Sequence, residues 1–521
     1  MQPRFWQPPV ELSAKEEQVV KRIRKAKLFV FLREYRHQIF DEAFQQELAG
    51  LYQDSKQGQP PIAPAQLALA TIFQAYMGVS DEEAVEAAIM DRRWQLGLDC
   101  LDTEEAPFSK GTLVNFRKRL IGANMDRRLI ERTIEVANHS GAFGSRALRA
   151  ALDSSPLWGA GRVEDTYNLL GHALCKVMSV VAAERDRELA DIAKDAKAEL
   201  ICGSSLKATL DCDWDQPKQK VQALSQVLSL LQTVEQWFHG LAQEEQTSQA
   251  EHYLKAAQQI KEQDIEKDEN GQEILRKGVA KDRRISIEDE QMRHGRKSSS
   301  VLINGYKRHI LHDLDSDLVR AVGLTAANAP EASVTEAISE DLMRQKIDLQ
   351  ELHIDRAYLS SELVRHRAEQ LKIYCKAWPI RQGKLFPKQA FHLDWERQII
   401  RCPAEQEMPF TPGGVVHFPQ EFCDTCPLRV QCTKSSKGRS VSIHPDESLL
   451  AELRERQLTP VGRAKLRERV AVEHTLAHIG YWQGRRARYR GIRKNLFDLR
   501  RCAVIHNLHV LAHSDAFLQA A

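Results

Sequence analysis

The sequence predicts an α/β (α+β) protein in which an all-helical N-terminal domain precedes a core built on a mixed sheet. Apolar residues recur at helical spacing through much of residues 1–145. After residue 300, runs rich in Val, Ile, Leu and Tyr alternate with helical patterns, which favours layers of strands and helices. Two predicted strands end in an aspartate, Asp153 and Asp355, at the end where open α/β sheets bind their ligands.

The composition is that of a globular protein. The 521 residues allow two or three domains, and 42% hydrophobic and 28% charged residues are ordinary values. No apolar run approaches the roughly 18 residues of a membrane span. The N-terminal segment MQPRFWQPPVELS lacks the apolar stretch of a secretion signal. We therefore expect a cytoplasmic protein whose ten cysteines are reduced and available to metal.

Basic residues are concentrated in two regions, although the formal net charge is only +2. Residues 462–501 contain twelve Lys or Arg against three Asp or Glu, and residues 276–308 are also rich in Arg and Lys. Residues 240–270 are rich in Glu, Gln and Asp instead. Because nucleic-acid binding depends on a local basic surface, the low total charge does not exclude a DNA partner.

The N-terminal helices are indicated by periodic apolar residues. They are predicted in the segments 19–32, 39–52, 66–77, 82–89 and 112–120, with a Pro/Gln/Gly loop at 57–64. Ser80 and Ser109 precede two of these helices as predicted N-caps. The last helix contains the basic run 116–119. Short successive helices with a basic end favour a helix-turn-helix-like DNA-binding unit, and a helical bundle with a solvated basic face is the alternative.

The second region alternates strands with helices. Strands are predicted at 149–152, 301–311, 318–325, 349–354 and 372–377, and helices at 332–344 and 361–370. The first strand ends at Asp153, before a turn that includes Pro156. A helical stretch from about residue 167 to 267 interrupts the pattern, closes in a turn at 267–271, and is predicted to pack on its own apolar seam.

Three acids are candidate metal ligands. Asp153 and Asp355 end neighbouring predicted strands, and Glu473 lies in the helical run 466–477, ahead of a strongly basic stretch. Carboxylate oxygens suit Mg²⁺ or Mn²⁺, and two such ions can promote in-line displacement at phosphorus. The structural alternatives are a turn at Asp153, a helix cap at Asp355, and an i,i+4 ion pair of Glu473 with Arg469.

Four segments resemble the DDE transposases of bacterial insertion sequences. They are 61–120, 282–307 (DRRISIEDEQMRHGRKSSSVLINGYK), 352–360 (LHIDRAYLS) and 469–507. The resemblance covers most of the chain and is weakest in the helical insertion. It implies an RNase H-like core in which Asp153, Asp355 and Glu473 are the catalytic residues and bind Mg²⁺ or Mn²⁺.

The resemblance also implies a function. A DDE transposase cuts double-stranded DNA at the ends of its element and transfers the freed strand into target DNA. We therefore expect metal-dependent phosphodiester hydrolysis and transesterification, a homodimer or larger synaptic complex, and a nucleoid-associated location in a bacterial cytoplasm. The alternatives are a metal-dependent DNase on the same core, and a catalytically silent DNA-binding protein derived from a transposase.

Two positions depart from the fuller family signature. Arg469, four residues before Glu473, matches the arginine of that signature. Leu466 stands where the signature has Tyr, and Gly480 stands where it has Lys. The roles of those two groups, phosphate contact and strand positioning, therefore do not transfer to this chain, although a nearby arginine such as Arg485 could substitute.

Thirteen basic residues are candidate DNA contacts. They are Arg117, Lys118, Arg119, Arg296, Lys297, Lys307, Arg469, Arg485, Arg486, Arg488, Arg490, Arg493 and Lys494. His294 and Arg308, beside the members on the predicted hairpin, are further plausible phosphate contacts, and a solvated basic edge is the alternative. Contacts of this kind position DNA through its phosphates without reading its sequence. Trp482 and Tyr489 lie among or beside these arginines and could stack on unpaired bases, with burial in the core as the alternative.

Four cysteines have the spacing of a structural zinc site. Cys423, Cys426 and Cys432 give C-x₂-C-x₅-C, and Cys402 precedes them by about twenty residues. The surrounding loop is rich in Pro and Gly, and a metal would order it. The alternative is a set of reduced core cysteines, and His417 could replace one ligand.

The predicted domain organisation follows from these patterns. It consists of a helical DNA-binding-like domain (1–145), a first part of the core (146–166), the helical insertion (167–275), the core continued (276–385), the Cys-rich loop (386–445), and C-terminal helices of the core (446–521).

Overall fold

The computed structural model describes residues 2–53, 59–141, 143, 147–297, 300–378 and 383–520. Part of the predicted 57–64 loop and the predicted domain boundary at 145/146 lie outside these residues. The α-helices are α1 Ala14–Arg22, α2 Lys27–Ile39, α3 Glu42–Ala49, α4 Pro64–Met77, α5 Asp81–Met90, α6 Arg92–Leu98, α7 Lys110–Gly122, α8 Asp126–His139, α9 Thr166–Glu184, α10 Leu189–Asp195, α11 Leu206–Thr209, α12 Pro217–His239, α13 Ser248–Asp264, α14 Thr335–Gln345, α15 Glu362–Arg365, α16 Gln420–Asp424, α17 Arg429–Cys432, α18 Glu447–Leu458, α19 Pro460–Glu468, α20 Val470–Gln483, α21 Ile492–Ala512 and α22 Asp515–Ala520.

The strands are mostly short outside the central sheet. They are β1 Leu148–Trp158, β2 Ile265–Lys267, β3 Glu273–Leu275, β4 Arg293–Arg296, β5 Leu302–Asp313, β6 Val319–Ala326, β7 Leu349–Ile354, β8 Lys372–Cys375, β9 His392–Asp394, β10 Ile399–Arg401, β11 Glu407–Pro409, β12 Val415–His417 and β13 Ser440–Ser442. Short 3₁₀ turns cover Glu199–Cys202, Glu331–Val334, Arg356–Tyr358 and Lys388–Ala390.

A six-stranded mixed sheet forms the centre of the molecule, which confirms the predicted α+β class. Its order is β4-β5-β1-β7-β8, and β6 pairs with β5. The pairs among β4, β5, β6 and β1 are antiparallel, whereas β1, β7 and β8 run parallel. The structure therefore contains the predicted hairpin (β5 and β6) and the two predicted strands that follow it.

Both faces of the sheet are covered by helices. Ala150 and Leu152 of β1 belong to a core cluster with α14, α15 and α18. Ala151, between them, belongs to the cluster that contains α20 and α21. Because side chains alternate across a strand, Arg149, Ala151, Asp153 and Ser155 share the face that α20 covers.

Strand β1 does not end at Asp153, and this part of the sequence prediction is wrong. Pairing with β7 stops at Leu152, but β5 continues to pair with β1 as far as Trp158. Pro156 is accepted inside the strand because one edge of β1 has no strand partner there, so the missing N–H costs no ladder hydrogen bond. Asp153 therefore lies at the point where β1 loses one neighbour and keeps the other.

The predicted N-terminal helices are present. Ser80 caps α5 in a capping box with Glu83, and the hydroxyl of Ser109 accepts a hydrogen bond from the backbone N–H of Thr112 at the start of α7. The periodic segment 19–32 is two helices, α1 and α2, rather than one, and α6 and α8 were not anticipated.

The N-terminal helices share a hydrophobic core with the C-terminal helices. Leu69 and Phe73 of α4 belong to the same cluster as Phe497 and Leu508 of α21. Helix α21 also packs on α8 and on β6. The helical domain and the sheet are thus joined by one buried helix from the end of the chain.

The helical insertion packs on its own apolar seam, as the sequence predicts. Helices α9 to α13 bury a cluster that includes Leu174, Leu228 and Ile260. The predicted turn at 267–271 connects β2 to β3.

Two further predictions are corrected. The helix expected at 361–370 is a single turn, α15, and the strand expected at 372–377 ends at Cys375. Segment 366–371 is mostly polar, with only Ala368 and Leu371 apolar, so it offers little apolar surface to bury. In the described part of the chain, no helix is long and apolar enough to cross a membrane.

Asp126 holds the start of α8 against α21. Its carboxylate is fully buried and pairs with the guanidinium groups of Arg493 and Arg500. We expect Asp126→Ala to lower the free energy of unfolding by about 3–5 kcal/mol, because two cations would lose their counter-charge at a buried site.

The matched control is Asp515→Ala, which removes an exposed acid from α22. Urea denaturation of both variants measures the difference. A loss of less than about 1 kcal/mol in Asp126→Ala, the range of a surface ion pair, would contradict the assignment.

Candidate active site

Asp153 and Asp355 lie at the same edge of the parallel part of the sheet. Leu152 of β1 pairs with Ile354 of β7, and each is followed by its aspartate. Neighbouring strands lie about 4.8 Å apart, so the backbones of the two aspartates are neighbours at this edge of the sheet. The Oδ1 atom of Asp355 accepts the backbone N–H of Arg356 at 2.7 Å and caps the following 3₁₀ turn. The capping role anticipated as an alternative is therefore present, and one carboxylate oxygen remains available.

Glu473 reaches this edge from α20. The helix packs on β1 and β5, burying Val472, Leu476 and Ile479, while the side chain of Glu473 stays 51% exposed. Arg469, at the junction of α19 and α20, donates to Asp153 Oδ2 and, at 2.7 Å, to Glu473 Oε1. The i,i+4 ion pair therefore exists, and its arginine also connects the helix to the strand.

Burial and Arg469 act in opposite directions on Asp153. Burial raises the pKa of the Asp153 carboxyl above its ordinary value, and the charge and hydrogen bonds of Arg469 and the Ser154 amide only partly offset it. The nearby Glu473 carboxylate raises the pKa of Asp153 further. A nearby cation such as Arg469 therefore favours the ionised form of Asp153.

A neutral layer lies behind the acids. His309 of β5 is fully buried, and its ring nitrogens lie 2.8 Å from the Tyr358 hydroxyl and 3.0 Å from Thr325 Oγ1. Burial lowers the pKa of His309 to about 3, so the imidazole is neutral near pH 7. Burial also raises the pKa of Tyr358 well above its ordinary value.

A second acidic group lies further along the same strands. Ligand atoms of Glu351, His353 and Glu468 lie within 4.8 Å of one another. Arg149 and Lys465 both bond to Glu351 Oε2 at 3.0 Å, and both also pair with Glu468. Burial opposes ionisation, but these two cations lower the pKa of Glu351 to about 2. The positive charges of Arg149 and Lys465 compensate the negative charges of Glu351 and Glu468. The group is therefore better suited to attaching α19 to the sheet than to binding a metal ion.

Sequence reasoning missed this group, although one signal was present. Glu351, His353 and Asp355 alternate along β7 and therefore share one face. Polar residues at alternate positions of a strand that is buried on both faces require partners from a neighbouring element. Here α19 supplies Lys465 and Glu468.

Comparison with known proteins identifies both ends of the chain. Residues 401–512 match a family model described as a transposase DDE domain, and residues 17–119 match one described as a transposase domain (DUF772). Both ends of the chain are therefore similar to transposase families. The match implies that the mixed sheet is an RNase H-like core. No curated protein and no solved structure shows significant similarity to the chain.

The transposase matches cover only part of the candidate site. Glu473 and the four cysteines lie within the DDE match, whereas Asp153 and Asp355 lie outside both matched segments. The assignment of these two aspartates therefore depends on the sheet geometry and stays a prediction.

Several of the candidate DNA contacts are engaged within the protein. Arg117 pairs with Asp81 and lies over the ring of Tyr489, and Lys307 donates to the Ala329 carbonyl and approaches Glu331. Arg486 donates to the carbonyls of residues 159 and 160, Arg490 pairs with Glu288, and Arg493 pairs with Asp126. The exposed members of the set are Arg486 and Arg490 themselves together with Lys118, Arg119, Arg296, Lys297, Arg485, Arg488 and Lys494.

The two aromatic candidates are used in packing. Trp482 stacks on His509 with ring centroids 5.4 Å apart. Tyr489 lies between Arg117 and Arg501, whose Nη2 donates to its hydroxyl. Both side chains are half-buried and make contacts within the protein, which favours the alternative to base stacking.

The four cysteines surround one cavity of about 220 Å³. Cys402, Cys423, Cys426 and Cys432 all line it, whereas His417 does not. No three of these sulfurs lie within 4.8 Å of one another, compared with roughly 3.8 Å in a closed tetrahedral zinc site. The protein places the four thiols around one space, and a metal would have to draw them together.

Replacement of Arg469 tests the electrostatics of the transposase site. Arg469→Gln should raise the pKa of Asp153 further, because burial would then act with less opposition. A metal ion binds the deprotonated carboxylate, so the pH at which Mn²⁺ binding is half lost should move upward. Mn²⁺ binding is followed against pH by electron paramagnetic resonance.

The charge-conserving variant Arg469→Lys is the control and should keep a midpoint closer to that of the wild type. A midpoint in Arg469→Gln at or below the wild-type value would mean that Arg469 does not control the ionisation of Asp153.

Proposed function

We propose that this protein is an active DDE transposase that cleaves DNA at element ends and transfers the freed strand into target DNA. The observation that carries the proposal is the placement of three acids at one edge of the sheet, where their oxygens do not all lie within 4.8 Å of one another. Asp153 and Asp355 follow paired positions on parallel strands, and Arg469 connects Asp153 to Glu473. The transposase matches at both ends of the chain support the same chemistry.

The three acids fit a site for Mg²⁺ or Mn²⁺. All the donors are carboxylate oxygens, which these ions prefer, and a single guanidinium accompanies three acids. When bound, such ions supply activation of a water or 3′-hydroxyl and stabilisation of the departing oxygen. Asp153, Asp355 and Glu473 would hold them. Arg469 orients two of the acids and reduces the repulsion between them.

The DNA partner follows from the exposed basic residues. Arg485, Arg488 and Lys494 lie shortly after α20, close in sequence to Glu473, and Lys118 and Arg119 lie on α7. Such residues would hold the duplex by its phosphates while the acids act on one bond. A dimeric or larger synaptic complex is part of the proposal because the reaction joins two DNA ends to a target.

The Cys-rich segment is proposed to bind a structural zinc ion. Four thiols line one cavity in a region that contains only two- and three-stranded sheets and very short helices. Its apolar cluster is small, with Ile400 and Phe418 among its buried residues. Four coordinate bonds would stabilise a fold with so little buried surface.

Asp355→Ala tests the catalytic assignment. We expect cleavage of a labelled duplex taken from just outside the gene to fall at least about 100-fold in Mg²⁺ or Mn²⁺, because a metal ligand is lost. Binding of the same duplex should be unchanged or slightly tighter, since a negative charge is removed near the DNA.

The control is Asp268→Ala, in the β2–β3 turn of the helical insertion, which should cut as the wild type does. Near wild-type cleavage by Asp355→Ala would refute the assignment. Cutting at random positions without strand joining would indicate a DNase, and binding without cutting by the wild type would indicate a silent DNA-binding protein.

Metal analysis tests the zinc proposal. Purified wild-type protein should contain close to one equivalent of zinc, and Cys426→Ser should lose most of it together with thermal stability of the Cys-rich segment. Cys202→Ser, which changes an exposed cysteine of the helical insertion, is the control. Wild-type protein with less than about one-tenth equivalent of zinc and unchanged folding after chelation would exclude the site.

A further inference from the structure

Arg308 is a buried cation that lacks an acidic partner. The residue is 5% exposed and lies on β5. Its Nε donates to Ser155 Oγ at 2.7 Å, and its Nη1 donates to Gln483 Oε1 and the Gly484 carbonyl, both at 3.1 Å. Among the described residues it forms no salt bridge, and burial lowers its pKa. A buried charge without a counter-ion is unfavourable, so its presence calls for an explanation.

Most other buried arginines of this protein are paired with acids, although Arg284 and Arg439 donate to carbonyl or amide oxygens instead. Arg33 pairs with Glu16, Arg320 with Asp313, and Arg501 with Asp498. Arg308 departs from this pattern beside the candidate catalytic acids.

The position of Arg308 relative to Asp153 is set by the sheet. Ser155 and Arg308 are register partners on β1 and β5, and their side chains are hydrogen-bonded. Ser155 lies two residues from Asp153 on the same face of β1, a separation of roughly 7 Å along a strand. The guanidinium of Arg308 therefore lies near Asp153, displaced by about two residues along β1 toward the part of the strand that does not pair with β7.

An opening in α20 gives access to this guanidinium. Its Nη2 makes no hydrogen bond with any residue that the structure describes. The nearest atom to a Cβ placed on Gly480 would be this Nη2, at 3.2 Å. Glu473, Ala477 and Gly480 are spaced i, i+4 and i+7 and thus share one helix face, where Glu473 and Ala477 are exposed. A larger side chain at residue 480 would cover the cation.

We propose that Arg308, reached through the gap at Gly480, binds a phosphate of the DNA strand that lies at the three acids. The phosphate would supply the missing counter-charge, and the contact would be a charge-assisted hydrogen bond from a fixed donor. Ser155 and Gln483 hold the guanidinium in place before DNA arrives, so little side-chain freedom is lost on binding. This inference rests on the proposed function because it assumes that DNA is the substrate.

The test compares the salt dependence of DNA binding in two variants. Arg308→Met removes the charge at similar length. Gly480→Leu keeps the charge and covers it, with a small shift of the guanidinium because a Cβ at residue 480 would lie 3.2 Å from Nη2. Both should reduce the slope of log K against log salt concentration by about 0.9, as expected for one lost phosphate contact. Both should also weaken binding severalfold at low salt. Leucine is a better helix former than glycine, so Gly480→Leu is expected to fold.

The matched control is Arg284→Met. Arg284 is also buried without a carboxylate partner among the described residues, but it donates to the Ser286 and Ile287 carbonyls and to Gln259, away from the acids. Its replacement should leave the DNA-binding slope unchanged.

The outcomes separate this inference from the proposed function. A wild-type slope in folded Gly480→Leu refutes the role of Arg308, even if Arg308→Met fails to fold. If the wild type neither binds nor cuts DNA, the proposed function fails, and this inference fails with it. Inorganic phosphate provides a further arm. If phosphate raises the melting temperature of the wild type but not that of Arg308→Met, while DNA binding is equal in both, the site binds free anions only and the DNA contact is refuted.

Discussion

The candidate site depends on one cation placed among three like charges. Asp153, Asp355 and Glu473 come from three different elements, and carboxylates that face the same edge of the sheet repel one another. Arg469 bonds to two of them at once. Because it lies at the junction of α19 and α20, the same bonds also fix where the helix meets the sheet. A bound metal ion would add positive charge and further reduce the repulsion between the carboxylates.

Polar residues around the three acids help to hold the surrounding elements in place. Arg149 and Lys465, paired with Glu351 and Glu468, attach α19 to β1 and β7 on the face that carries Asp153. The neutral side chains of His309 and Tyr358 lie behind the acids. Arg308, which has no carboxylate partner among the described residues, lies beside them. Most charges around the acids are therefore paired. The positive charge that remains, on Arg308, would suit an anionic substrate.

Much of the architecture could be predicted because it depends on local sequence patterns. Helix caps such as Ser80 and Ser109, the strand before Asp355, the hairpin and the apolar seam of the insertion depend on residues close in sequence. The errors have a common cause. β1 continues past Asp153 because β5, about 150 residues later, pairs with it. Arg117 and Lys307 carry the same charge as the exposed basic residues, and only the fold decides which of them meet an internal acid or carbonyl.

By itself the sequence determined the composition of the site: three acids in strand-end and helical contexts, an arginine four residues before one of them, and four cysteines at metal-binding spacing. The tertiary structure decided the rest. It placed Arg469 between Asp153 and Glu473. It paired the acids Glu351 and Glu468 with cations such as Lys465, and it left Arg308 without a carboxylate partner next to Gly480. The reason is physical: spacing along the chain fixes which residues share a strand or a helix face, whereas burial and charge pairing depend on neighbours that the fold brings from far away in sequence.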